Sequence, residues 1–201
     1  NLTLKGYFEN YKYYINNLDK IKSWFPKVKT QPRKNLAFHL RLGDRLFYKE
    51  SYDVNGILNP KPGNYLKAIN KFNYDKLYII TDMPSLELLS KNDFAELEYH
   101  YNPLKLKINT QTLDKAYYNY NSLIEELDYL DADIVHSSVA KDFMFIRSFK
   151  QILFQHSTTA WWAAILSNAK TVGVFRSWRP FKGKKNKNLS EVPINGWFNW
   201  N

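Results

Sequence analysis

The sequence predicts an α/β domain built on a parallel sheet with helices on both faces. Three observations carry this. Short apolar runs alternate along the chain with longer stretches of helical spacing, as in Gln151–Phe154 followed by Thr159–Ser167. The run Lys76–Thr81 is rich in β-branched and aromatic residues, as a strand should be. The 201 residues suffice for one core and not comfortably for two.

The elements follow in order. Tyr7–Trp24 reads as a helix that Pro26 stops, and residues 1–30 form an N-terminal helical segment. Asn35–Leu40 is a strand, and Tyr52–Gly63, polar with Gly and Pro, is a loop. Tyr65–Phe72 reads as a helix, Lys76–Thr81 as a strand and Pro84–Ser90 as a helix with proline in its first turn. Leu97–Tyr101 reads as a weak strand, Tyr118–Leu130 as a helix and Asp133–His136 as a strand. Ser138–Phe149 and Thr159–Ser167 are helices alternating with the strands Gln151–Phe154 and Thr171–Phe175. Residues 176–201 read as a basic loop and tail, the whole chain as a single domain.

Composition narrows the chemistry. No cysteine is present, which removes disulfides and thiolate metal sites. No run of 18 apolar residues offers a membrane span, and no secretory signal is visible. The chain starts with Asn, so an N-terminal truncation is expected, and the expected location is cytoplasmic or membrane-peripheral. Aromatics make up 17% of residues, and core packing accounts for most of them. The net charge of +10 favours anionic partners: a nucleotide diphosphate, nucleic acid, or an anionic lipid or polysaccharide surface. The run Lys182–Lys187 is a solvated loop with the capacity for such a membrane or polysaccharide contact.

Parallel α/β sheets bind ligands beyond the C-terminal ends of their strands. Three segments fall there. His39-Leu-Arg-Leu-Gly-Asp44-Arg45 closes the first strand. Alternation puts His39 and Arg41 on one face, Gly43 permits a sharp turn, and the guanidinium fork of Arg41 matches a phosphate. Asp44 is placed to orient Arg41 or His39, or to accept from a hydroxyl. The competing reading is a structural Arg–Asp pair. Asp82, after Lys76–Thr81, either accepts hydrogen bonds from a ribose or base, or caps the helix expected at Pro84. The third segment is Gln155-His-Ser-Thr-Thr-Ala-Trp-Trp162. Ser157, Thr158 and Thr159 at a helix start make an anion site, or serve as ordinary caps. Asp131-Ala-Asp133 has the form of a metal-binding D-x-D, but it precedes a strand and so falls at the wrong end of the sheet.

Together these residues resemble the α-1,2-fucosyltransferase family, and more distantly the α-1,6- and protein O-fucosyltransferases. His39, Arg41, Gly43 and Asp44 are similar to the family's H-x-R-x-G-D. Asp142 through His156-Ser-Thr-Thr-Ala-Trp-Trp-Ala-Ala-Ile-Leu166 is similar to its D-x-x-x-M and later N-S-T-F-S-W-W-A-A-x-L. Gly6–Tyr14 and the tail Val192–Trp197 resemble the flanking G-Y-F and P-x-x-W segments. The chain departs from the pattern at His156, Thr159, Ala160 and Ile146, where the family has Asn, Phe, Ser and Met.

The resemblance implies a Rossmann-like domain, the donor-binding half of a GT-B glycosyltransferase. It also implies inverting transfer of fucose from GDP-fucose to a glycan hydroxyl, with no metal and no cofactor beyond the donor. Arg41, His39 and Asp44 are then the catalytic set, with Asp44 ahead of Glu50 as candidate base. Asp82, His156, Ser157, Thr158 and Thr159 are the donor-binding set. A non-catalytic nucleotide-sugar or glycan-binding module is the alternative, and a nucleic-acid-binding protein a more distant one.

Overall fold

A computed structural model describes residues 14–47, 63–101, 110–155, 157–175 and 197–200. Six parallel strands form one sheet: β1 (Asn35–Leu40), β2 (Lys76–Thr81), β3 (Ala132–Val135), β4 (Gln151–Phe154), β5 (Thr171–Phe175) and β6 (Trp197–Trp200). Their order is β3-β2-β1-β4-β5-β6. The chain therefore winds outward from β1 to one edge, returns past its own start, and winds outward again. This is the order of doubly wound α/β folds, and it leaves a crevice between β1 and β4 where the direction of winding reverses.

The helices are α1 (Leu18–Ser23), α2 (Asn64–Ile69), α3 (Lys91–Tyr101), α4 (Thr110–Asp128), α5 (Val139–Arg147) and α6 (Thr158–Ile165). Strand alternation divides the core between the two sheet faces. Leu36, Phe38 and Leu40 of β1 pack with α2, α3 and α4. Ala37 of β1, Ile80 and Phe154 pack with α5 and α6, and Leu18, Ile21 and Phe25 of the α1 region close the same side. In α4 the buried residues Ala116, Tyr120, Leu123, Ile124 and Leu127 recur at helical spacing and form the stripe that lies against the sheet. The expected aromatic core is present: Phe38, Tyr65, Phe94, Tyr120, Phe149 and Phe154 are fully buried.

All five expected strands other than Leu97–Tyr101 are found, with β3 shifted by one residue. Three expectations need correction. Pro84–Ser90 is not a helix: residues 85–90 have no regular secondary structure. Tertiary hydrogen bonds decide this, because the side-chain amide of Asn121 on α4 accepts from Leu89 N–H and donates to Leu89 C=O, both at 3.0 Å. The phenol of Tyr120 donates to Glu87 C=O at 3.0 Å. Leu97–Tyr101 is the end of α3 and not a strand. Its start carries a reciprocal cap: Ser90 Oγ accepts from Asp93 N–H at 3.2 Å and donates to Asp93 Oδ2 at 2.6 Å. The tail contains β6, paired parallel to β5, where a loop and tail were expected. Residues 52–62 of the expected loop, the Lys182–Lys187 run and residues 7–13 of the first expected helix lie outside the described residues.

The α2 start rests on one carboxylate. Gly63 turns the chain with φ +84°, a left-handed value that glycine adopts without strain. Glu126 on α4 is 8% exposed and accepts from Gly63 N–H at 2.6 Å and Leu66 N–H at 2.9 Å. Replacing Glu126 by Ala strands both donors and is expected to cost about 2–3 kcal/mol. Urea denaturation measures this, and a change below about 0.5 kcal/mol would show that the contact is not stabilising.

Candidate functional site

The C-terminal ends of β2, β1 and β4 stand side by side, since Leu40 pairs with Thr81 and His39 with Phe154. The residues that leave these strands are held together by side chains. Asp82 Oδ1 accepts from Leu42 N–H at 2.8 Å, and its other oxygen lies 3.9 Å from Arg41 Nε. On the opposite side, the amide of Gln155 donates to Arg41 C=O and accepts from the Tyr65 phenol at 2.8 Å. The backbone of residue 41 is thus pinned between the ends of β2 and β4, directly at the crevice.

Arg41 itself is partly exposed, with 37% of its side chain accessible. A ligand in the crevice can reach it. His39 behaves differently. It is 8% exposed and lies one pleat below Arg41 on the same face. Its Nδ1 is buried without a hydrogen-bond partner among the described residues. Burial pushes its pKa from 6.5 down to about 3, and the positive charges of Arg41 and Arg45 push the same way. The imidazole is therefore neutral at working pH and adds no charge to the site.

The sign of the resulting pH dependence follows from linkage. Between pH about 3 and 6.5 the unfolded chain binds a proton at His39 and the folded chain does not. Stability thus rises with pH across that window, and the effect, on the order of 5 kcal/mol, is lost as pH falls. Asp142 acts in the opposite sense, since burial raises its carboxyl pKa. Comparing His39→Gln with the parent isolates the histidine: urea denaturation should give a shallower rise for the variant between about pH 4 and 6.5. Parallel curves would show that His39 does not titrate abnormally.

The helix starts also face this rim, because α5 and α6 follow the ends of β3 and β4. Ser138 caps α5 by accepting from Lys141 N–H at 3.4 Å. Ser157 caps α6, accepting from Ala160 N–H at 3.3 Å, and is 1% exposed. Its hydroxyl is engaged by the helix and turned away from solvent. Thr158 and Thr159, in the first turn, are partly exposed and border the crevice. Trp161 packs into the core, and Trp162 is half-buried against Tyr14.

The structure brings Arg41, His39, Asp82, Ser157, Thr158 and Thr159 to one rim. No helix follows Asp82, so it does not cap one; it orients the Arg41 segment, the role that the sequence offered to Asp44. Asp44 lies in the 3-10 turn Gly43–Phe47 that follows Arg41. His156 and Glu50 lie outside the described residues. Asp133 sits at the other end of the sheet, where it pairs with Lys76 at 2.7 Å.

Three residues at this rim have no role assigned from the sequence, although Arg45 and Gln155 lie within the segments singled out there. Gln155 is fully buried and forms the bridge between β1, β4 and α2. A polar amide directly after an apolar strand was the available signal. Arg45, four residues after Arg41, brings a second guanidinium close enough to act on His39. His136, at the end of β3, places Nδ1 3.0 Å from Thr81 C=O. A carbonyl only accepts, so Nδ1 is the donor in this contact.

Fold and rim together define a doubly wound α/β domain whose switch point carries Arg41 with Asp82 beside it. No family model, curated protein or solved structure matches the chain.

Proposed function

We propose that this chain is the donor-binding half of an inverting glycosyltransferase of GT-B architecture, which transfers fucose from GDP-fucose to a glycan hydroxyl. The observation that carries this reading is the convergence of Arg41 and the start of α6 on the β1/β4 crevice. Anions are favoured at a helix start and beside a guanidinium, and a diphosphate spans both.

The chemistry makes use of that placement. The bond between the sugar C1 and the β-phosphate oxygen breaks while the acceptor oxygen bonds C1 from the opposite face. Negative charge grows on the departing phosphate, and Arg41 offsets it without needing to move, since Asp82 and Gln155 already hold its segment. The acceptor's proton must leave on the face away from the phosphate. Asp44 is the candidate to take it. Asp82, with one oxygen on Leu42 N–H and the other facing Arg41 Nε, serves the donor by orienting Arg41. The guanine and fucose preferences rest on the motif resemblance of His39-Leu-Arg-Leu-Gly-Asp44 and His156-Ser-Thr.

Thermal shifts across a panel of nucleotides and nucleotide sugars test the donor class. GDP and GDP-fucose should stabilise the chain by about 2.7 kcal/mol at a hundredfold excess over Kd, with no comparable effect from ADP or UDP. An indifferent response to the base would remove the guanine assignment. Donor binding without turnover in the full-length protein would replace the enzyme with a nucleotide-sugar-binding module.

A further inference from the structure

The rim opposite the candidate site carries a second feature. Lys34, Lys150 and Lys170 each stand immediately before a strand, namely β1, β4 and β5, which are neighbours in the sheet. Lys170 N–H donates to Lys150 C=O at 2.8 Å, which fixes the two lysines side by side. Parallel strands lie about 4.8 Å apart, so the three ammonium groups start from a row of closely spaced positions.

Helices α5 and α6 run back from the C-terminal rim, so their last residues reach this end too. The α1 segment is tied to them there. Lys22 Nζ donates to Ser167 C=O at 3.1 Å, just past α6. The Arg147 guanidinium, at the last residue of α5, lies over the Phe25 ring at 5.1 Å. These contacts tie the α1 segment, which carries Lys22, Trp24 and Lys27, to the ends of α5 and α6 at this rim. Trp24 is 68% exposed, although it stands between Ser23 and the half-buried Phe25.

The carboxylates of this rim are unevenly placed. Asp75 pairs with Lys34 at 3.3 Å, and Asp133 pairs with Lys76. Asp128 and Asp131 flank the start of β3 at the far edge. The β1-β4-β5 half is therefore rich in lysine, and Trp24 is exposed in the α1 segment tied to it.

We propose that this half of the N-terminal rim is a docking surface for an anionic lipid bilayer. A row of lysines on adjacent strand starts complements a field of negative headgroups. An indole beside it inserts at headgroup depth, where tryptophan is favoured. Juxtamembrane basic residues add attraction that fades within a Debye length, about 8 Å at physiological salt. A single-stranded nucleic acid fits less well, because it uses successive aromatic platforms along a groove. Tyr129, 87% exposed, is the other large aromatic at this end, but it stands at the acidic β3 edge. Docked this way, the crevice at the C-terminal rim faces away from the bilayer and stays open to solution.

Co-sedimentation of the whole chain with phosphatidylcholine vesicles, with and without phosphatidylserine, tests the surface. Binding is expected only with phosphatidylserine and should weaken as salt rises. Each lysine near the surface is worth about fivefold in binding, so Lys150→Glu with Lys170→Glu should lower it by at least about 25-fold. Trp24→Ser should weaken binding without changing the salt dependence. Lys67→Glu with Lys115→Glu makes the same change in net charge on the other face and should retain most of the binding. Circular dichroism confirms that each variant folds. Equal binding to both vesicle types, or equal losses in the two charge-reversed pairs, overturns the proposal. So does a parent chain that binds single-stranded RNA and neither type of vesicle.

Discussion

Replacing Arg41 by Ala is expected to lower donor turnover by about 100- to 1,000-fold and to leave the fold intact. The expectation separates two properties of the residue. Its backbone is structural: the carbonyl accepts from Gln155, and the next N–H donates to Asp82. Neither contact needs the side chain. The guanidinium is more than one-third exposed, so its loss removes little burial. The charge it places at the crevice matters to the departing phosphate. Truncation should thus affect kcat with little change in the denaturation midpoint. Arg41→Lys keeps the charge but not the fork of donors, and should recover only part of the rate. Unchanged turnover in Arg41→Ala would take this residue out of the site. A large fall in stability would mean that the side chain is structural after all.

Gln155→Leu is expected to produce the largest loss of stability at the rim, about 2–5 kcal/mol. The amide is fully buried and serves two partners, the Tyr65 phenol and the Arg41 carbonyl. Leucine has a similar volume and satisfies neither, so two polar groups remain without partners in a dry setting. The companion variant Tyr65→Phe removes one of them. The double variant should therefore be less destabilised than the sum of the single ones. Urea denaturation of all three gives the coupling. Additive losses, or a loss below about 1 kcal/mol for Gln155→Leu, would show that the bridge does not hold the crevice. Because Gln155 also fixes the segment carrying Arg41, nucleotide binding should weaken with it, unlike in a remote core variant of equal stability.

Much of this architecture is written in local pattern. β1, β2, β4 and β5 begin and end where the sequence places them, because strands covered on both faces are largely apolar runs bounded by polar residues. Ser138 and Ser157 act as caps, as helix starts with hydroxyl residues predict. Elsewhere local signals misled. Pro84–Ser90 has helical spacing, yet Asn121 and Tyr120 hold it in an irregular path, and hydrogen bonds from a distant helix outweigh a weak propensity. The cap between Ser90 and Asp93 was legible and would have placed α3 correctly.

For the site, the sequence alone determined the residue types and their position at strand ends: His39, Arg41, Asp82 and the Ser157–Thr159 run all lie on the C-terminal rim, as alternation and element order require. Tertiary structure decided what each of them does. It spends Asp82 on Leu42 N–H, turns the Ser157 hydroxyl into a cap, and buries His39 until its imidazole is neutral. It also recruits Gln155 and brings Arg45 close enough to act on His39. The reason is physical. Hydrogen-bond partners and dielectric surroundings come from strands and helices far apart in the chain, and only the order β3-β2-β1-β4-β5-β6 makes them neighbours.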